Sequence, residues 1–194
     1  DIYGADTARW FMLSDSPPDR DLEWTDAGIG GAYKFINKIW NLLIESVSVD
    51  SSSLLDKENY ILNEKVNETI INVTKNINDF HYNKSIANLY ELTNVIQSLI
   101  IKKTVSKDCL LNSFKKLTLL LHPFVPHLSE EMWAKISGSG LAINQKWPKF
   151  TGSLVKSFCN IAIQVNGKTK EVIQYNIGSK KENVQKVALE KQKI

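Results

Sequence analysis

Four long runs between Thr25 and Leu121 carry apolar residues at every third or fourth position. This period places the apolar side chains on one face of an α-helix, and such a face has to be covered by another element. The first run has its apolar residues at Ile29, Ala32, Ile36, Ile39, Leu43 and Val47, with Tyr33 and Trp40 beside them. Because the connections between runs are short, neighbouring helices have to run antiparallel. The sequence therefore predicts a mainly α fold, an antiparallel helix bundle.

Prolines and capping residues mark where these helices begin and end. Pro17 and Pro18 follow a short helix predicted at 6–13 and prevent its continuation. Thr25 is placed to cap the next helix with its hydroxyl. Pro126 opens a last helix, because proline is well tolerated in a first helical turn. We therefore expect four or five bundle helices after the short first one.

The period of the apolar residues changes near residue 156. The preceding stretch, 138–156, contains glycine, serine and proline and is predicted to be a linker. Beyond it, alternating apolar and polar residues are typical of strands, and the Asn166–Gly167 pair favours a two-residue hairpin turn. The predicted elements are a strand at 158–165, a strand at 170–175 and a helix at 180–189. A small, truncated α+β unit is thus expected after the bundle.

Composition indicates a packed chain in a reducing compartment. Hydrophobic residues make up 43% of the 194 residues and charged residues 23%, which is typical of a globular domain. No apolar run approaches the roughly 20 residues that a membrane span requires. Cys109 and Cys159 stand alone in different segments, which argues against a disulfide framework or a zinc site and favours buried thiols. We expect a cytoplasmic protein without a membrane segment.

The residues that could support catalysis do not form a recognisable site. His81, His122 and His127 lack the spacing of metal ligands and are predicted to have structural roles. Glu130 and Glu131 are predicted to lie in the first turns of a helix, where acids interact well with the helix dipole. No nucleophile motif is present. We therefore expect no catalytic, metal or cofactor residues in this chain.

Charge is unevenly distributed along the chain. The net charge is +3, too small to identify a nucleic-acid partner. Residues 1–24 hold six acids and two arginines, whereas residues 165–194 hold seven lysines and three glutamates. Lys34 and Lys38 are four apart and share one helix face, so they could contact successive phosphates. These basic residues could therefore bind a polyanion, or they could form a solvated face without a ligand.

Several separate segments resemble, in the same order, the bacterial leucyl-tRNA synthetase family of class I enzymes. They are YGADTAR at 3–9, SPPDRDLEW at 16–24, GAYKFINKIWNL at 31–42, HPFVPHLSEEMW at 122–133, WP at 147–148 and QVNGK at 164–168. The segment at 122–133 is shared with isoleucyl and valyl enzymes. The segments at 16–24 and 164–168 are closer to the leucyl enzymes than to the other two. The stretch 50–107 resembles the family only in its pattern of apolar residues at helical spacing.

The resemblance implies three parts of a longer protein. Residues 1–24 would be the tail of the connector that follows the catalytic core, and residues 25–150 the anticodon-binding-type helical bundle. Residues 156–194 would begin the small carboxy-terminal domain that contacts tRNA. Both ends of the chain are therefore expected to lie within a longer protein sequence. Leucine and ATP, with Mg²⁺, would bind the catalytic core outside this chain, which would itself hold no cofactor.

The resemblance also implies which residues approach RNA. Lys34 and Lys38 match basic bundle positions, and Asn166, Lys168 and Lys170 fall in the hairpin motif. The expected function is to dock tRNA(Leu) for a leucine–tRNA ligase that is cytoplasmic and monomeric. Two alternatives stay open: the equivalent region of a valyl or isoleucyl enzyme, and a non-enzymatic helical module that binds another protein.

Overall fold

The structure is a computed structural model. It describes residues 2–14, 20–49, 56–137, 139–150, 158–165 and 168–176, together with 183 and 185. The chain divides into two compact units, Asp1–Gly152 and Ser153–Ile194. In the described residues, helices form the first unit and an antiparallel pair of strands lies in the second. The mainly α fold with a small β-containing unit after it is confirmed.

The described part of the first unit contains six α-helices and one turn of 3-10 helix. They are α1 (Ala5–Ser14), α2 (Asp26–Ser48), α3 (Asp56–Asn78), α4 (Tyr82–Lys102), α5 (Lys107–Leu121), α6 (Pro126–Ser137) and the 3-10 turn Ala142–Asn144. Short connections return α4 against α3 and α6 against α5, as expected for an antiparallel bundle. α1 packs against α2 and α4, so it belongs to the same compact unit.

Side-chain caps define the starts of α2 and α5. The Thr25 hydroxyl accepts a hydrogen bond from the Gly28 N–H at 3.2 Å, which confirms the predicted cap. Ser106 caps α5 in the same way, accepting from the Cys109 N–H at 3.3 Å. α4 ends at Lys103, whose φ of +54° places it in the left-handed region that commonly terminates helices.

Trp10 lies at the centre of the core and joins four elements. Its side chain is fully buried and stacks on Phe35 of α2 with ring centroids 5.0 Å apart. Its edge contacts are with Tyr90 of α4 and with Phe124 in the α5–α6 turn. The indole N–H donates to the Tyr90 hydroxyl at 3.1 Å. Burial raises the pKa of the Tyr90 phenol despite this bond, so the hydroxyl stays neutral.

Large aromatic side chains more often fill cores than stack on bases, which predicts core positions for Trp24, Trp40 and Trp133 as well as Trp10. Trp133 is 8% exposed, and Trp40 is partly buried against the core. Trp24 is 56% exposed, so the prediction of a core position is wrong there. Its ring meets the edge of Phe11 at 5.2 Å. Trp24 precedes the first residue of α2, and a residue outside the helix does not share its buried face.

Gly28 allows α1 and α2 to approach closely. A Cβ added at Gly28 would lie 2.4 Å from a ring carbon of Phe11 and 2.8 Å from the Thr25 hydroxyl oxygen. A Cβ at Gly31, three residues further along α2, would meet nothing within 4 Å. Glycine is thus required for packing at the first position and not at the second.

We expect Gly28→Ala to lower the free energy of unfolding by about 1–3 kcal/mol, because the added methyl forces Phe11 or the helix to move. Gly31→Ala is the matched control and should raise the free energy of unfolding by up to about 1 kcal/mol, since alanine is the better helix former. Urea denaturation of both variants measures the difference. Equal effects from the two substitutions would contradict the close contact.

Asp6 attaches α1 to the first turn of α6, and Arg9 attaches it to the turn that precedes α6. The Asp6 carboxylate is nearly buried and accepts from the Leu128 backbone N–H at 2.7 Å and from the His127 ring at 2.9 Å. The Arg9 guanidinium donates to the backbone carbonyls of residues 123–124 at 3.1 and 3.3 Å. These bonds satisfy backbone groups at a helix junction that helical hydrogen bonding leaves open.

Glu130 binds a segment that the sequence predicted to be a linker. Its carboxylate accepts from the backbone N–H groups of Ala142 at 2.7 Å and Ile143 at 2.9 Å, at the start of the 3-10 turn. The Trp147 indole then donates to the Thr74 hydroxyl on α3 at 2.8 Å. The first turn of α6 contains no acid, so the predicted helix-start role of Glu130 is wrong. Residues 139–150 pack on the bundle instead of forming a free linker.

The pKa of Glu130 reflects these bonds. Partial burial acts to raise the pKa, but the two backbone N–H groups and the His122 ring, 3.0 Å away, outweigh it and lower the pKa below the usual 4.5. A carboxyl whose pKa is lower in the folded state stabilises the fold at neutral pH. That contribution is present above the ordinary pKa and is lost as the pH falls through the lowered one.

Glu130→Gln should lower the free energy of unfolding at pH 7 by about 1.5–3 kcal/mol, the range for hydrogen bonds to a charged group. The difference from the unsubstituted chain should shrink as the pH falls below 4.5, because protonation removes the same charge. Denaturant titrations over a pH series measure this. Glu131→Gln alters the neighbouring exposed acid and should have little effect; a loss equal to that of Glu130→Gln would contradict the capping role.

The second unit contains a β-hairpin. The strand β1 (Phe158–Val165) pairs antiparallel with β2 (Lys168–Asn176), which confirms the first predicted strand and extends the second. Ile163 pairs with Glu171 and Gln164 with Thr169, so one extra residue forms a bulge in β2. The predicted Asn166–Gly167 turn and nearly all of the predicted helix at 180–189 lie outside the described residues.

Candidate nucleic-acid interface

The buried stripe of α2 determines which of its side chains face solvent. The buried apolar residues of α2 are Ile29, Ala32, Phe35, Ile39, Leu42 and Leu43. The sequence-based stripe omitted Phe35 and placed Tyr33 beside the core. In the structure Phe35 is 5% exposed, and Tyr33 is 43% exposed. Phe35 stacks on Trp10, and Ile36 of the predicted stripe is only partly buried against the core.

Polar residues on the outer face of α2 line an open groove against α4. The groove has a volume of about 480 Å³, and it is lined by Tyr33, Lys34, Asn37, Lys38, Asn41, Leu42, Glu45 and Gln97. Lys34 is exposed and Lys38 half-buried. Both lysines predicted to contact RNA on the bundle therefore lie in one groove, together with residues that the prediction did not include.

A neutral partner holds Lys38. Its ammonium donates to the Asn94 side-chain oxygen on α4 at 2.8 Å. Across the described residues, no carboxylate lies within ion-pair distance of Lys34 or Lys38. Lys65 differs, because it forms an ion pair with Glu91 at 2.8 Å. Neither α2 lysine is thus ion-paired with a described carboxylate, although Glu45 lines the same groove, and their two charges suit an anionic ligand.

A second groove continues from the first. It has a volume of about 430 Å³ and is lined by residues of the chain start, α1, α2 and α6. The two grooves share Tyr33 and Asn37, and Tyr3 and His127 lie in the second. The Tyr3 ring meets the Tyr33 ring edge-on at 5.6 Å. Together the grooves form a strip with aromatic side chains at one end and lysines at the other.

The hairpin residues predicted to contact RNA belong to the second unit. Lys168 begins β2, and Lys170 is the extra residue of the bulge, with an exposed side chain. A bulge changes the direction of a side chain relative to a regular ladder. The alternating pattern of the sequence contained no signal for it. Asn166 lies outside the described residues.

Metal-ligating and nucleophilic side chains do not assemble into a site in the part of the chain that the structure describes. No cluster of three metal-ligating side chains occurs there, and none of the described helices is both long and apolar enough to cross a membrane. Burial raises the pKa of the Cys109 thiol, which favours the unreactive protonated form. His122 and His127 form the structural contacts with Glu130 and Asp6 described above.

Comparison with family models identifies the class of protein to which the chain belongs. Residues 58–187 match the family model described as the anticodon-binding domain of tRNA ligase. The match covers more than half of the chain, and the chain therefore belongs to this family. α2 precedes the matched range but lies within the longer matches to relatives.

Those relatives are leucine–tRNA ligases. The chain is 37% identical over 193 residues to the enzyme of Rhizorhabdus wittichii and 39% identical over 197 residues to that of Orientia tsutsugamushi. It covers 22% and 23% of their lengths. A solved LeuRS–tRNA–LeuAMS ternary complex from Agrobacterium radiobacter K84 has a TM-score of 0.73 and 25% identity, over 97% of this chain and 25% of that one. The resemblance to leucyl-tRNA synthetases is confirmed, and the valyl and isoleucyl alternative is not favoured.

Proposed function

We propose that this chain is the tRNA-docking part of a leucine–tRNA ligase and that its partner is tRNA(Leu). The observation that carries the proposal is the α2 groove, in which Lys34 and Lys38 present positive charge one helical turn apart. Phosphate contacts of this kind position an RNA without reading its sequence. Family membership supports the same partner, as does the tRNA of the structurally similar ternary complex.

Lys168, Lys170 and Asn166 are proposed as a second contact with the same tRNA. Lys170 supports this through its exposed position in the β2 bulge. A bundle contact and a hairpin contact on one RNA would restrict its orientation more than either contact alone. The role of the chain in the reaction is then to position the tRNA, a contribution that acts through orientation and not through bond making.

The whole protein is proposed to join leucine to tRNA(Leu) in two steps. Leucine attacks ATP to give leucyl-adenylate and pyrophosphate, and a ribose hydroxyl of the tRNA then takes the leucyl group and releases AMP. Leucine, ATP and Mg²⁺ would bind the catalytic core, and the ligase would act as a cytoplasmic monomer. In this scheme the 194 residues hold no cofactor of their own.

Aminoacylation assays test the enzyme assignment. The full-length protein should charge tRNA(Leu) with leucine, and charging with valine or isoleucine in its place would contradict the leucyl assignment. The 194-residue chain alone should catalyse no leucine-dependent exchange of pyrophosphate into ATP. Leucyl-adenylate formation by the chain alone would show that it contributes more than positioning.

A further inference from the structure

Tyr33 lies where the two grooves of the bundle meet. Tyr33 is 43% exposed, and its ring forms a T-shaped pair with that of Tyr3 at 5.6 Å between centroids. Tyr33 and Lys34 both line the first groove, so that groove offers an aromatic ring and a cation close together. An exposed aromatic ring beside lysines is the combination that binds unpaired nucleotides, through stacking and phosphate contact together.

Asn37 adds hydrogen-bonding groups at the same point. One N–H of its side-chain amide donates to the Tyr33 backbone carbonyl at 2.8 Å, which holds the amide against the helix. The amide retains a second donor and an acceptor for the edge of a base. Asn37 and Tyr33 line both grooves, so a base placed on the ring would lie within reach of the amide.

The charge of the strip fits a nucleotide. The two grooves, of about 480 and 430 Å³, are open to solvent, and Glu45 is the one acid among the residues lining the first. The one acid of the second groove, Asp6, is occupied by the Leu128 N–H and the His127 ring. Asn94 holds the Lys38 ammonium at the first groove without neutralising it. A phosphate there and a base at Tyr33 would lie along one helix face.

We propose that this strip is a subsite for one unpaired nucleotide of the bound RNA. The base stacks on the Tyr33 ring, and the edge of the base forms hydrogen bonds with the Asn37 amide. The phosphate of the nucleotide contacts Lys34 and Lys38. The inference rests on the proposed tRNA docking and makes it more specific. A wholly paired helix offers phosphates but no free base face. The subsite therefore selects a bulged, looped or single-stranded nucleotide over a duplex.

The experiment compares two ligands, a tRNA(Leu) transcript and a blunt RNA duplex of similar charge, for binding to the 194-residue chain. Tyr33→Ala should weaken tRNA binding by roughly 5- to 150-fold, the range for loss of one stacked base. It should leave duplex binding unchanged. The slope of tRNA affinity against salt should also stay the same, because no phosphate contact is removed.

Three variants make the result specific. Tyr33→Phe should bind tRNA like the unsubstituted chain, since the ring is kept. Tyr33→Leu keeps apolar contact with Tyr3 but removes the aromatic face, so it should bind like Tyr33→Ala even if the alanine variant is unstable. Tyr60→Ala, which removes a tyrosine 64% exposed on α3, is the matched control and should have no effect.

Unchanged tRNA affinity in both Tyr33→Ala and Tyr33→Leu would overturn the subsite. So would an equal loss of affinity for tRNA and duplex. If Lys34→Glu/Lys38→Glu still weakened binding in that case, the docking function would stand without the nucleotide subsite. Absence of RNA binding by the unsubstituted chain would overturn the docking function and the subsite together.

Discussion

Trp10→Ala should lower the free energy of unfolding by about 3–5 kcal/mol, the range for truncating a large buried aromatic side chain. The indole is fully buried and contacts Phe35, Tyr90 and Phe124, which lie on three other elements. Its removal leaves a cavity between these elements and also leaves the Tyr90 hydroxyl without its donor. Denaturant unfolding monitored by circular dichroism measures the loss.

Trp24→Ala is the matched control for this substitution. The same indole is removed, but from a position 56% exposed that meets one ring edge. The expected loss is about 1 kcal/mol or less, as for a substitution near the surface. Similar losses for the two variants would contradict a core organised around Trp10. A Trp10→Ala variant as stable as the unsubstituted chain would show that the Trp10 contacts do not stabilise the bundle.

Lys34→Glu/Lys38→Glu should weaken binding of tRNA(Leu) on the order of 10- to 100-fold at moderate salt, because two phosphate contacts are replaced by repulsion. The slope of log affinity against log salt should fall by about one for each phosphate that the protein no longer binds. Both lysines lie in the α2 groove and lack a carboxylate partner among the described residues. Filter binding or fluorescence anisotropy over a salt series measures both quantities.

The control reverses two charges outside the groove. Lys57 on α3 and Lys135 on α6 are exposed, and neither lines the α2 groove. Lys57→Glu/Lys135→Glu makes the same change in net charge as the double substitution on α2. It should change tRNA affinity little beyond the general effect of net charge. An equal loss from the two double variants would show that binding depends on total charge and not on the groove.

The helices were predictable from sequence because each carries a continuous apolar stripe. The α2 cap at Thr25 and the start of α6 at Pro126 followed from local chemistry alone. The side chains that depend on tertiary contacts were not predictable. Phe35 is buried because Trp10 of another helix meets it, and no local pattern encodes that contact.

The candidate interface was predicted only in part for the same reason. Lys34 and Lys38 were found through their spacing on one helix face. Asn94 was missed, because the residue that holds Lys38 lies on α4, 56 positions away. Tyr33 was placed beside the apolar stripe of α2 and was not considered as a contact residue, because aromatic residues more often fill cores than stack on bases. Glu130 was misassigned because its partners belong to a segment without regular periodicity.

The central claim is that these residues dock tRNA through the bundle surface and do not merely bind any polyanion. The most direct measurement is the affinity of the 194-residue chain for tRNA(Leu), with duplex DNA of equal total charge as competitor, over a range of salt concentrations. We expect saturable binding that falls with salt and that the DNA displaces poorly. Binding that DNA displaces as readily as tRNA itself, or no binding at low salt, would contradict the claim.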